Sequence, residues 1–249
     1  MFLCAEFRMK DMGTNSLIYL GISILKLKDD ILLDQSSYLK KVLVKYGMED
    51  CKPIDTPMEV NFKIISKECS IDYTLELRCR SLIGSLMYVT VGTRPDLATA
   101  VYYLSRFQSK PCKELWMALK RVLRYIKGTL NLKLKYSKTN DCSILIGYAD
   151  SDWARDEDRK STSGYLFKIY NNSVIWRSKK QTCIALSTAE AELVSLCEAV
   201  KEMIWIIKLL KDFNLNVDQV TVFEDNQSTI KSAKNPDQKS MKHLEKWFS

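Results

Sequence analysis

The chain has 249 residues, 38 Lys/Arg against 30 Asp/Glu, a formal net charge of +8, and 46% hydrophobic and 27% charged residues. That length holds one large domain or two modest ones, and the composition excludes wholesale disorder. One histidine, His243, and eight cysteines without a C-x-x-C pair argue against histidine-rich zinc sites and against a Ser-His-Asp triad before the last few residues.

Scattered cysteines in a chain of this size predict reduced thiols and an intracellular protein of the cytoplasm or nucleus. Met1–Lys10 carries Glu6 and Arg8 and is a poor secretory signal. Without an apolar run of about 18 residues, no membrane span is expected.

In chain order, Ser16–Asp34 alternates loosely around a Lys-Asp-Asp break at 28–30, which predicts a β-hairpin. Ser36–Tyr46 has helical periodicity, with Gly47 as a C-cap. Pro53 and Pro57 mark an extended linker. Tyr73–Thr90 and Arg94–Gln108 are expected as helices, broken near Gly92 and restarted at Pro95. Lys113–Lys127 is the clearest helix of this half, ended by Gly128.

Beyond Ser143 the pattern changes. Ile144–Asp150 alternates, Ser163–Tyr170 is strand-like, and Asn171-Asn172-Ser173 signals a hairpin turn. Val174–Arg177 and Gln181–Leu186 make the next strand region. Thr188–Asp212 is one long helix capped by Ser187 or Thr188. Val220–Glu224 is a short strand and Asn226–Lys234 a helix. This order predicts a mixed α/β unit.

The charge is uneven. Residues 1–143 carry 23 Lys/Arg against 15 Asp/Glu, whereas residues 144–249 carry 15 of each. Within 106–138 stand ten basic residues and one acid, Glu114. On a helical wheel Leu115, Ala118, Leu119, Val122, Leu123 and Ile126 share one side. Lys113, Lys120, Arg124 and Lys127 form a stripe on the other, with Arg121 beside it. A one-sided stripe nearly free of acids predicts phosphate contacts, against the plainer alternative of a solvated helix face.

Three carboxylates stand out in the second half. Asp150 closes the first strand there. Asp225 closes Val220–Glu224 and precedes a helix. Functional groups gather at such strand ends, although an aspartate alone at either place is more often a cap or turn residue. On the wheel of the long helix, Glu190 shares the solvent face with Lys201 and Lys208. Glu192 falls instead in the apolar stripe with Leu196, Ala199, Met203, Ile207 and Leu210. An ionised carboxylate there costs several kcal/mol unless a cation or donors meet it; the alternative is a first-turn acid at the rim of the core, favoured by the helix dipole. Three such oxygens suit Mg²⁺ or Mn²⁺ better than zinc, and two ions about 3.5–4 Å apart serve phosphodiester cleavage.

The motifs Y-A-D-S-D-W-A (148–154), R-K-S-T-S-G-Y (159–165), W-R-S-K-K-Q-T (176–182), A-L-S-T-A-E-A-E-L (185–193) and E-D-N-Q-S-T-I (224–230) resemble the ribonuclease H domain of copia-type LTR-retrotransposon Pol polyproteins. Upstream, Y-L-G-I (19–22), K-Y-G-M-E-D-C-K-P-I-D-T-P-M (45–58), L-I-G-S-L-M-Y (82–88), T-R-P-D-L-A-T-A-V (93–101), L-S-R-F (104–107) and R-V-L-R-Y-I-K-G-T (121–129) resemble the end of that family's reverse transcriptase.

The resemblance implies an α/β chain. Residues 1–35 would end the polymerase palm as a hairpin, 36–143 form a basic helical thumb and connection region, and 144–249 form a ribonuclease H-like mixed-sheet domain, incomplete at its C-terminus. Asp150, Glu192 and Asp225 match the family's metal-binding and catalytic carboxylates, with Asp152 as the neighbouring alternative to Asp150 and Mg²⁺ or Mn²⁺ as cofactor. Lys113, Lys120, Arg121, Arg124 and Lys127 would grip nucleic acid. The partners implied are an RNA–DNA hybrid or other nucleic acid and the remainder of a Pol polyprotein. A Y-V-D-D-type polymerase motif is absent, so no DNA synthesis is expected of this chain alone.

The expected activity is metal-dependent cleavage of RNA in RNA–DNA hybrids. It is expected to be weak, because the family's A-D-x-x-T-K-like segment, taken to hold a fourth ligand, is missing. The alternatives are a non-catalytic nucleic-acid-binding remnant or a degenerate element copy. Glu245 matches an acid of the family's K-H-I-D/E segment and is given no metal role. His243 is read as structural, and Arg155 as a tolerated turn change where the family commonly has Gly.

Overall fold

Ser16–Asp34 folds as three strands rather than the two of the expected hairpin: β1 Ser16–Tyr19, β2 Ile22–Lys26 and β3 Asp30–Asp34. The computed structural model describes residues 16–64, 73–139, 144–154, 158–217 and 219–234. The anticipated break at 28–30 joins β2 to β3. A second turn at Leu20 and Gly21, with φ of 48° and 75°, joins β1 to β2. Two successive positive φ angles make the turn whose twist suits a tight hairpin. Leu-Gly is a weak sequence signal for it, because leucine pays a steric cost in that region.

The chain divides into two units, Met1–Lys138 and Thr139–Ser249. In the first, an unanticipated strand, β4 Leu134–Ser137, returns antiparallel to β3, giving the order β1-β2-β3-β4. Lys135 pairs with Asp30 at 3.0 Å and Lys133 with Asp34 at 3.1 Å. Ser137 donates to Asp30 at 2.7 Å, and this bond, then Lys135, holds the Asp30 carboxyl below its ordinary range.

Among the described residues of this unit four helices pack together: α1 Ser36–Lys45, α2 Tyr73–Gly92, α3 Ala98–Ser105 and α4 Lys113–Gly128. Gly47, at φ 64° just past α1, takes the left-handed conformation that ends a helix. Pro95 opens a short 3₁₀ turn, Pro95–Leu97, that leads into α3. All six expected apolar positions of α4 are buried, against Leu39 and Leu43 of α1, Leu82, Leu86 and Val89 of α2, and Val101 and Leu104 of α3. Each of the leucine, valine and isoleucine side chains contributes about 1.5–3 kcal/mol through removal from water, and Ala118 less.

The second unit holds β5 Leu145–Asp152, β6 Thr162–Ile169 and β7 Asn172–Lys180, then α5 Thr188–Asp212, β8 Val220–Phe223 and α6 Gln227–Lys234. The sheet order is β7-β6-β5-β8. The first three strands are antiparallel, and β8 runs parallel to β5. The β6–β7 turn sits at Tyr170 and Asn171, both at positive φ, one residue before the expected position. β7 is one continuous strand; 181–187 is not a strand. Buried Gln181 ends it, its Nε2 donating to Ser163 Oγ at 3.0 Å and to the Ala191 carbonyl at 2.9 Å.

α5 lies on β5 and β6, burying Ala199, Ile206 and Leu210 with Leu145, Ala149 and Phe167. Gly147 is required here: a Cβ would stand 2.5 Å from Phe167 Cε1. Gly147→Ala is therefore expected to lower stability by about 1–3 kcal/mol, measured by denaturant unfolding.

Among the described residues, Cys51, Cys79, Cys112, Cys183 and Cys197 are free thiols, and no helix is long and apolar enough to cross a membrane. Arg155, His243 and Glu245 lie outside the described residues.

Candidate metal centre

Asp150, Glu192 and Asp225 come together, each offering a carboxylate oxygen within 4.8 Å of the others. Backbone geometry explains the convergence. Along β5, Leu145, Gly147 and Ala149 face the core, and Tyr148, Asp150 and Asp152 are exposed. β8 pairs parallel with β5 up to Tyr148 opposite Phe223. Two residues further along each chain stand Asp150 and Asp225.

Glu192 arrives from α5. Three residues on, Ser195 Oγ donates to the Asp150 carbonyl at 2.6 Å and to the Gly164 carbonyl at 3.2 Å, which pins the first turns of α5 to the strand that carries Asp150. Thr229 Oγ1 of α6 donates to the Ala189 carbonyl at 3.0 Å. Asn226 Oδ1 caps α6 by accepting from the backbone N–H of Ser228 and Thr229 at 3.0 and 3.1 Å. The loop that carries Asp225 is thus held beside the start of α5.

Glu192 is 7% exposed, whereas both aspartates are exposed. Burial, reinforced by the charges of Glu224, Asp150 and Asp225, pushes its carboxyl up to about 7. Its Oε2 is buried without a hydrogen-bond partner. Asp152, the alternative to Asp150, stays outside the cluster. An all-oxygen donor set with one orphaned, desolvated oxygen fits a hard divalent cation, which would satisfy that oxygen and offset the repulsion.

Two acids fell outside this expectation. Glu190, assigned to the solvent face, is 8% exposed. Ser187 Oγ accepts from the Glu190 N–H at 3.2 Å, and Glu190 Oε2 accepts from the Leu186 N–H at 2.7 Å. The S-T-A-E string at 187–190 has the spacing of a capping box; here the carboxylate reaches one residue further back, to Leu186, and this capping overrides the wheel in the first turn. Glu224, not singled out by the sequence, is half-buried beside Asp225. Desolvation, then the charges of Asp225 and Asp150, raises its carboxyl above the ordinary range.

The basic stripe of α4 forms, but the proline-bearing segment after α1 covers part of it. Arg121 pairs with Glu59 at 2.8 Å and donates to Thr56 at 3.0 Å. Arg124 Nε donates to the Lys52 carbonyl at 2.7 Å. The expectation of a stripe nearly free of acids therefore fails at Arg121, whose partner is distant in sequence. Lys120 lies 6.0 Å from the Trp116 ring centroid. Lys113 is exposed and Lys127 half-buried.

No family model matches the chain. It is 39% identical over 241 residues to the retrovirus-related Pol polyprotein from transposon TNT 1-94 of Nicotiana tabacum, covering 94% of this chain and 18% of that protein. It is 36% identical over 229 residues to the retrovirus-related Pol polyprotein from transposon RE1 of Arabidopsis thaliana, covering 91% of this chain and 15% of the relative. A shorter relative, the secreted RxLR effector protein 161 of Plasmopara viticola, is 51% identical over 127 residues, covering 51% of this chain and 89% of that protein. The chain thus spans less than a fifth of the two polyproteins it matches over nearly its whole length. Matched at 36–39% identity over more than nine-tenths of its length, the chain belongs to the copia-type, retrovirus-related Pol polyproteins of transposons.

Proposed function

We propose that the second unit is a ribonuclease H-type domain that hydrolyses the RNA strand of RNA–DNA hybrids, and that the first unit is the end of a reverse-transcriptase palm with its helical thumb and connection region. The observation that carries this reading is the convergence of Asp150, Glu192 and Asp225 where β5, β8 and α5 meet. The choice of an RNA–DNA hybrid as substrate rests on family membership, and the larger polyprotein is proposed as the setting in which the chain acts.

Asp150, Glu192 and Asp225 would hold Mg²⁺ or Mn²⁺. When bound, the metal supplies Lewis-acid polarisation of a phosphoryl oxygen and activation of water. The chain supplies the positioning. Ser195 fixes the α5 backbone to β5, and Asn226 and Thr229 fix the loop of Asp225. Glu192 brings a carboxylate whose water has already been removed by folding, so its charge acts with little screening.

Cleavage of an end-labelled RNA–DNA hybrid in Mg²⁺ tests the reading. The chain should cut only the RNA strand and stop in EDTA, and Asp225→Asn should lower the rate by about 10²-fold or more. Binding without Mg²⁺-dependent cleavage would leave the nucleic-acid-binding remnant as the better account.

In the first unit, Lys113, Lys120 and Lys127 are the proposed phosphate-binding side chains, with Arg121 and Arg124 partly committed to the segment they hold. Replacing all three lysines by alanine should flatten the log–log salt dependence of hybrid binding by about 0.7–0.9 for each phosphate no longer neutralised. An unchanged slope in a fluorescence-anisotropy titration would remove α4 from the interface. Arg121→Ala is expected to cost the fold about 1 kcal/mol, because Arg121 is half-buried but its partner Glu59 is exposed and screened by water.

A further inference from the structure

We propose that Trp153, Ile184 and Leu186 form an apolar platform beside the metal centre, on which a strand of the RNA–DNA hybrid rests its sugar and base faces; this rests on the ribonuclease H-type reading of Asp150, Glu192 and Asp225. Trp153 stands three residues after Asp150, just past the end of β5. Its indole Nε1 donates to the Ala185 carbonyl at 3.3 Å. The ring therefore bridges the end of β5 to the loop that leads into α5, whose second turn carries Glu192. Ala185 is buried, yet the side chains on either side of it are not. Ile184 is 52% exposed, Leu186 73% and Trp153 itself 42%.

Hydrogen bonds hold these segments in place. The Leu186 N–H donates to Glu190 Oε2 at 2.7 Å. Ala154, at φ 49°, donates its N–H to the Oγ of fully buried Ser161 at 3.1 Å. The Ser161 carbonyl accepts from the Gln181 N–H at 2.9 Å, so one serine ties the Trp153 turn to the start of the 181–187 loop. Single exposed apolar side chains are ordinary, but three gathered around one hydrogen bond on pinned backbone make a contact surface that needs little ordering on binding. The surrounding charge suits a polyanion. Arg159 and Lys160 directly precede Ser161 and so stand beside the Trp153 turn, and Asp158 before them is paired with Lys180 at 3.0 Å. The indole N–H and the Leu186 N–H are both committed within the fold, so the platform offers apolar faces that suit stacking with little sequence preference. A strand that reaches Asp150, Glu192 and Asp225 continues over the surface around them, and the platform adjoins it at the start of α5.

Fluorescence anisotropy of a labelled RNA–DNA hybrid with the full chain, with Ca²⁺ in place of Mg²⁺, tests this beside Mn²⁺ binding followed by electron paramagnetic resonance. Leu186→Ser keeps the backbone N–H that meets Glu190 and removes a side chain already in water. It should leave the unfolding midpoint and Mn²⁺ affinity unchanged while weakening hybrid binding by about 3-fold. Trp153→Leu should weaken hybrid binding by about 5-fold or more. Trp153→Phe keeps an aromatic face but loses the Nε1 bond, and should recover most of that affinity. A ring that only clasped the loop would give the opposite pattern: unchanged hybrid affinity in Leu186→Ser, and Trp153→Phe no better than Trp153→Leu. That result would overturn the platform and leave the metal centre standing, and Leu186→Ser alone decides the matter where a Trp153 variant fails to fold. Absence of hybrid binding by the wild-type chain would overturn the ribonuclease H-type reading and this inference with it.

Discussion

Replacing Glu192 by Gln makes the metal-free protein more stable above pH 7 while removing its cleavage of hybrids. Burial first, then the charge of Glu224, raises the Glu192 carboxyl from an ordinary 4.5 to about 7. In the unfolded chain that carboxyl ionises near its ordinary value. Between the two values the folded protein binds a proton that the unfolded chain does not, so stability falls as pH rises through this window. Gln carries no such penalty. In EDTA the variant should unfold at the wild-type denaturant midpoint near pH 4.5 and gain about 1–3 kcal/mol over the wild type by pH 8. In Mg²⁺ the order should narrow or reverse, because only the wild type gains the full binding free energy. Hybrid cleavage should fall by about 10²-fold or more. A variant less stable than the wild type in EDTA at pH 8 would mean that Glu192 is held by donors rather than left waiting for a cation.

Arg94→Ala should cost the first unit about 2–3 kcal/mol, because it removes a buried guanidinium and its charge-assisted hydrogen bonds, whereas Asp96, 30% exposed, can be rehydrated. Arg94 is 2% exposed. Its Nε and Nη2 grip Asp96 at 2.9 and 2.7 Å, and Nη1 and Nη2 donate to the carbonyl and hydroxyl of Thr129 at 3.2 and 2.7 Å. The guanidinium also lies 5.8 Å from the Tyr125 ring centroid. One side chain therefore joins the turn before α3 to the end of α4. Arg94→Lys should recover little, since an ammonium cannot reproduce the planar fork. Urea unfolding followed by a signal specific to the first unit measures both variants. A loss below about 1 kcal/mol for Arg94→Ala would show that the pair is dispensable.

Much of this was legible in the sequence where period and capping agree. α5 runs over Thr188–Asp212 behind Ser187, and Glu192 was separable from its neighbours because it broke an apolar stripe. The apolar face of α4 followed from spacing alone. The R-P-D string at 94–96, noticed as part of a family motif, is an ion pair leading into α3 whose arginine is buried. What escaped depends on partners far along the chain. β4 is a short polar strand that exists only because β3 is there to pair with it. Arg121 looked solvated because Glu59 lies outside the window of its helix. The Leu20-Gly21 turn lacks the Asn or Asp that usually announces such a turn. Glu224 carried no periodic signal, since a residue at a strand end sits on neither face until the neighbouring elements are known.

The metal centre itself is tested most directly by anomalous diffraction from crystals of the chain soaked in Mn²⁺. The account predicts a Mn²⁺ peak within coordination distance, about 2.0–2.3 Å, of carboxylate oxygens from Asp150, Glu192 and Asp225, absent in crystals of Asp150→Asn. Ordered carboxylates with no peak between them at saturating Mn²⁺, or a peak bound only by residues elsewhere on the surface, would contradict it.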